Sequence, residues 1–347
     1  MSLIVAHHFA VHGGFQFGTD VFSVNHLWVQ FLSSGGKIGV NVFVLISGYF
    51  LCQSKGISLV KLIRLWLSIF FYSVLFVGLF VGLGPESLQL KPLIRSLFPV
   101  TYSAYWFIST YFVLYLLSPF INWFIQTLSQ TKYQRLLILL TVMWCLIPTF
   151  MISTFQSNSL WWFVYLYLLA GYIRSYVKDG RAYPFLWAAG SLYLLALLAT
   201  AGCDEVGLKF PLVAKHATFF FAMQRLPTLL ISLLLFLGFK NMRLGFSSLI
   251  NLFAATTLGI YLIHENMFVR PFLWKTVFRN ASYAGSNWLI PYSIGVIVLV
   301  FTGCACLELI RLHLLEKYYK KYLYPVADYM TQLSQRFFDS KIFRNYL

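Results

Sequence analysis

Apolar stretches of about 20 residues recur along the whole chain, separated by short polar breaks, and that repetition leaves few folds open. A helix needs roughly 20 apolar residues to cross a hydrocarbon core about 30 Å thick, and it satisfies its own backbone hydrogen bonds on the way. The spans read near 38–53, 59–84, 105–125, 135–152, 159–174, 184–201, 219–239, 247–265 and 289–310, with a partial one at the start. Composition excludes a soluble alternative. Of 347 residues, 59% are hydrophobic and 10% charged, and the mean hydropathy is +0.74, more apolar surface than a soluble domain can hide. The expected fold is all-α: a polytopic transmembrane helix bundle of about ten helices, the first incomplete. It comprises a membrane domain over 1–311 and a basic, aromatic-rich cytoplasmic tail over 312–347. No cleavable signal peptide is read at the start.

The formal charge of +16 would suggest nucleic acid as the partner of a soluble protein. Here the Lys and Arg residues sit mainly in short loops and in the tail, so the partner they imply is the lipid bilayer, with no nucleic acid. Loops holding Lys55 with Lys61 and Arg64, Lys132 with Arg135, Arg174 with Lys178 and Arg181, and Lys240 with Arg243 alternate with loops of less or mixed charge. The basic set is expected in the cytoplasm, which puts both termini there in a multi-pass protein of the cell membrane. The tail, with Lys317, Lys320, Lys321, Arg336, Lys341 and Arg344, is expected to lie against anionic lipid. Segment 266–288 departs from the rule: it carries Arg270, Lys275 and Arg279 yet falls outside, where these cations can line a site for an anionic substrate group. Met1 to Val11 supplies only about 16 Å of helix, so the expectation is that part of the first span precedes Met1.

Polar groups at membrane depth are costly and need a partner or a function. Four places stand out: His7 and His8 with His12; His264 and Glu265 in "YLIHEN"; Arg225 just before Pro227; and Asn41 with Ser47 and Gly48. The topology puts the first three toward the external side although they are far apart in sequence. A histidine can take a proton from a hydroxyl and return it to a leaving group while a carboxylate orients the ring. An arginine can hold a phosphate or an oxyanion. The plain readings stand beside these. His12 and His26 suit an interface, Arg225 can snorkel to the headgroups, and Asn41, Ser47 and Gly48 suit helix packing. Tyr105, Trp106, Trp161 and Trp162 fall where an aromatic belt would lie. The five cysteines are scattered, and no metal, disulfide, phosphate-loop or nucleophile-elbow spacing appears. No metal and no bound cofactor are expected.

The segments "IVAHHFAVHGGF", "GVNVFVLISGYFL", "KLIRLWLSIFF", "YWFISTYFVLYLLSPFIN", "LAGYIR" and "GIYLIHEN", in that order over nearly the whole chain, resemble the acyltransferase 3 family of membrane-bound O-acyltransferases, particularly its bacterial surface-polysaccharide branch. The resemblance implies acyl coenzyme A, as the acetyl thioester, for the donor substrate, and a carbohydrate hydroxyl for the acceptor. It implies an essential histidine on the first helix, matched by His7 or His8, while the arginine that precedes it in the family has no counterpart. Where the family usually carries an acidic residue, this chain has Asn41. The site expected on these grounds is His7, His8, His264 and Glu265 for catalysis, Arg225 for donor binding, and Asn41, Ser47 and Gly48 as motif or structural residues. The rival reading is a non-enzymatic transporter or polysaccharide flippase.

Overall fold

The computed structural model describes residues 1–339 apart from 18–19, 55, 85–88, 152, 154 and 215–216. Lys55, Lys341 and Arg344 therefore lie outside the described residues. The chain forms α1 (Ser2–His12), α2 (Val24–Leu51), α3 (Leu59–Gly82), α4 (Leu90–Leu97), α5 (Trp106–Thr127), α6 (Gln130–Met151, with a π turn at Val142–Leu146), α7 (Ser159–Tyr176), α8 (Ala182–Lys209), α9 (Leu226–Asn241) and α10 (Ser248–His264). A short helical segment, Val269–Tyr283, bends 88° away from α10. Then α11 (Leu289–Tyr318) continues through a π turn at Tyr319–Leu323 into α12 (Tyr324–Asp339). No strand occurs among the described residues.

Among the described residues, six helices are long and apolar enough to cross a membrane: α2, α3, α5, α6, α8 and the stretch Leu289–Leu333; the bent pair makes a seventh. All ten expected segments are helical, since α1, α7 and α9 supply the remainder. Local chemistry explains many boundaries. Ser58, Ser129, Asn158 and Ser247 precede α3, α6, α7 and α10, and each side chain accepts a backbone N–H from three residues on, at 3.4, 3.4, 3.0 and 3.3 Å. Such caps satisfy donors that a helix start leaves open.

Several boundaries differ from expectation. The second span begins at Val24 rather than near 38, because the Gly35-Gly36-Lys37 break is not a break but the middle of α2. The span expected at 219–239 is a helix only from Leu226, preceded by a 3₁₀ turn at Ala217–Phe221. The last helix does not stop near 311 but runs on toward the tail.

α2 is the hub. It packs against α1, α7 and α9, and 61% of its most apolar stretch is buried, against 22–33% for the other five spans. Glycine makes the close approaches possible. A Cβ at Gly35 would lie 3.1 Å from Leu3, one at Gly36 2.2 Å from the His7 ring and one at Gly39 3.2 Å from Ile4. Gly35 and Gly39 thus form a small-xxx-small seam that lets the side chains of α1 seat closely against the α2 backbone. Gly48 does the same toward α7, with Tyr167 Cα at 3.0 Å and Ala170 Cβ at 3.1 Å.

Candidate active site

The glycine seam decides how deep α1 can sit, and so where its histidines go. His8 and His12 are four residues apart on one face of α1; His7 turns toward α2, where its Nδ1 meets the Ser33 carbonyl. From the far end of the chain, α10 ends at His264, and the 88° bend that follows carries Glu265 and Arg270 back over the same place.

His8 Nδ1 lies 2.8 Å from His264 Nε2, across 256 residues of sequence. His264 Nδ1 faces the Ile260 carbonyl. A carbonyl only accepts, so the neutral His264 donates from Nδ1 and accepts at Nε2, and His8 must donate from its own Nδ1. The His8 ring is thereby held in the tautomer that leaves the Nε2 lone pair free. Glu265 Oε2 is 3.3 Å from His8 Nδ1 and 3.6 Å from His12 Nε2, while Oε1 accepts from Arg270 Nη1 at 2.8 Å. His8, His264 and Glu265 are buried, at 7%, 0% and 8% exposure. Water is largely excluded, so a carboxylate there orients and stabilises a histidine far more than it would in solvent.

His7 and His8 line a cavity of about 30 Å³ with Ile4, Gly36, Lys37, Trp106 and Tyr261, room for about one water-sized group. Two apolar cavities of about 150 and 270 Å³ share Ile4 with it. Lys37 Nζ stands over the Trp106 ring, 4.5 Å from its centroid. Lys37 is not among the residues that the sequence singles out, because the expected second span begins near 38 and leaves it outside. Its signal was a charge within an otherwise apolar helical stretch.

The other expected residues fall elsewhere. Arg225 caps α9, its guanidinium over the Phe219 ring at 4.1 Å and its Nη1 buried without a partner. Among the described residues, no hydrogen bond, ion pair or ring contact joins it to the histidines, and the arginine at the cluster is Arg270. Asn41 is fully buried and structural: it donates to the Met223 carbonyl at 3.0 Å and accepts from Trp162 Nε1 at 2.9 Å, tying α2 to α7 and to the approach to α9. Ser47 faces Tyr111, and Gly48 is a packing residue. The aromatic-belt reading fails for Trp162 and Tyr105, which are 0% and 2% exposed. Tyr105 donates to the Leu262 carbonyl at 3.2 Å and accepts from Asn266 at 2.8 Å, which supports the end of α10 beneath the site.

An all-helical bundle with spans long and apolar enough to cross a membrane, and with two buried histidines and a carboxylate beside a small cavity, defines a class: polytopic membrane proteins with a buried polar cluster at a helix end. The family model of the acyltransferase 3 domain, described as an acyltransferase domain, matches residues 1–309, and the chain belongs to that family. No curated protein and no solved structure matches it.

Proposed function

We propose that the protein is an O-acyltransferase that moves an acyl group, of acetyl size, from acyl coenzyme A to a hydroxyl of a cell-surface or exported polysaccharide. It would act at the external face of the cell membrane, with both termini in the cytoplasm. The observation that carries this reading is the His8 tautomer. Nδ1 donates to His264 Nε2 with Glu265 Oε2 3.3 Å away, which leaves the Nε2 lone pair free to accept a proton on a ring that lines the cavity. In the reaction the acceptor hydroxyl gives its proton to His8 Nε2 as its oxygen bonds to the thioester carbonyl carbon. The carbonyl oxygen becomes an oxyanion, the C–S bond then breaks, and the thiolate leaves with the proton from His8. Glu265 stabilises the imidazolium between the two steps, and Lys37 is the cation at hand for the oxyanion. His7 lines the same cavity, but its Nδ1 partner is a neutral carbonyl, which makes it the weaker base. The apolar cavities beside Ile4 suit the thioester arm of the donor. Arg225, with a free buried donor at Nη1, remains the proposed contact for a donor phosphate.

Purified protein in proteoliposomes, given acetyl-labelled coenzyme A and a polysaccharide acceptor, tests this. The expected result is labelled polysaccharide from the wild type and almost none from His8→Gln. Polysaccharide carried across the bilayer without acyl product would establish the transporter instead. Omitting the acceptor separates direct transfer from a covalent route: a stable label on the protein that disappears in His8→Gln would overturn the direct attack described above.

A further inference from the structure

The proposed chemistry uses His8, His264 and Glu265 and leaves His12 without a task, although His12 faces the same carboxylate. We propose that His8, His12 and Glu265 form a binding site for a divalent transition-metal ion of the zinc type, and that the bound ion holds the transferase idle. Linear spacing along the chain gives no hint of such a site, because its third ligand comes from 253 positions further on. The fold builds it.

Three observations support it. One ligand atom from each of the three residues lies within 4.8 Å of the other two. The two nitrogen–oxygen separations, 3.3 and 3.6 Å, match the edge of a tetrahedron, which is about 3.3 Å long at zinc bond lengths of roughly 2.0–2.1 Å. Histidines at i and i+4 on one helix face are, besides, the arrangement that places two imidazoles on one metal. The third observation concerns the carboxylate itself. Glu265 is 8% exposed, and its Oε2, between the two histidines, is buried without a hydrogen-bond partner. An unpaired carboxylate oxygen at such a depth is costly unless a cation or proton reaches it. Arg270 holds Oε1 at 2.8 Å and so aims Oε2, as the outer partners of metal ligands do. The His12 side chain is 28% exposed, which gives an ion a way in and leaves a fourth position for water. Arg270 also offsets the carboxylate charge, so this site binds more weakly than a structural zinc centre.

The consequence for activity rests on the role proposed for His8, whereas the binding does not. A metal at His8 Nδ1 takes the lone pair there. The ring hydrogen must then sit on Nε2, the nitrogen that has to accept the acceptor's proton, and the bond to His264 is lost. The metal-bound and transfer-competent states exclude each other through one tautomer.

The test uses the purified full chain in nanodiscs, stripped with chelator and titrated with Zn²⁺ against a chromophoric chelator. The expected result is one equivalent bound, weakened at least about tenfold in both His12→Gln and Glu265→Gln. X-ray absorption on the zinc-loaded wild type guards against misfolded variants: two imidazoles and light-atom ligands support the site, and sulfur ligation overturns it. In transfer assays, Zn²⁺ at filling concentrations should abolish wild-type activity, chelator should restore it, and His12→Gln should need at least about ten times more Zn²⁺. No specific binding, or binding indifferent to both substitutions, overturns the metal site. Binding that depends on these residues but leaves transfer unaffected overturns the idling effect and the His8 base with it, while the site stands.

Discussion

At the scale of single residues, the two histidines that adjoin in sequence are made unequal by their partners. Both line the cavity, yet only His8 has a carboxylate within 3.3 Å of its bonded nitrogen. General-base catalysis contributes about 10²–10⁴-fold, so His8→Gln is expected to lower kcat by that factor and His7→Gln by clearly less. Steady-state kinetics on both variants checks the order, and the reverse order would transfer the role to His7. Lys37 is a separate case. An oxyanion contact strengthens as charge develops, and losing one costs about 10²–10³-fold in kcat. Lys37→Met should therefore reduce kcat with little change in KM for the donor; a rise in KM alone would make Lys37 a binding residue.

At the scale of elements, the approach of α1 to α2 positions the chemistry, and glycine controls that approach. A methyl at position 36 would land 2.2 Å from the His7 ring, whereas one at Gly78 of α3 meets nothing within 4 Å. Overpacking a tight contact costs about 1–3 kcal/mol. Gly36→Ala is accordingly expected to lower activity at least about tenfold while the protein still inserts, and Gly78→Ala to leave activity unchanged. Equal activity of the two variants would mean that the seam does not position the histidines. Asn41 works between elements in another way. Hydrogen bonds between membrane helices average only about 0.6 kcal/mol, but Asn41→Leu strands two buried partners, Trp162 Nε1 and the Met223 carbonyl. The expected outcome is a lower unfolding temperature in detergent, with the zinc and donor affinities of the surviving folded protein intact.

At the scale of the whole molecule, a second buried polar cluster braces the bundle apart from the histidines. Glu308 pairs with Arg311 through two 2.7 Å bonds and accepts from Tyr72 at 2.6 Å, tying α11 to α3. Gly259 of α10 is where Glu308 presses, since a Cβ there would come within 2.3 Å of the carboxyl. Removing one partner of a buried ion pair costs about 3–5 kcal/mol because the other charge is left unpaired. Glu308→Gln should thus destabilise the fold far more than Asp179→Asn, which breaks the 2.5 Å pair between Lys240 and an aspartate that stands in solvent, as thermal unfolding of both variants would reveal. The proposed orientation is tested on intact cells: single cysteines placed at Lys61, Lys132, Lys178 and Lys240 should resist an impermeant reagent. Labelling at Lys178 from outside would invert the bundle and place the histidines on the cytoplasmic side.

The number and rough positions of the helices, and the residue types worth watching, were legible in the sequence because transfer into lipid depends on local composition summed over about 20 residues. His264 and Glu265 could be matched to the N-terminal histidines in depth for the same reason. Contact was another matter. Whether two helices at equal depth touch depends on the shape of their surfaces, and in a bilayer that is settled by small residues rather than by hydrophobicity. Gly35 and Gly36, outside the expected second span, are the seat of α1 within α2 and bring Lys37 to the cavity, and the arginine that joins the histidine cluster is Arg270. The His8 tautomer, and the third ligand that turns two histidines into a candidate metal site, arise from side chains more than 250 residues apart. Only packing could decide them.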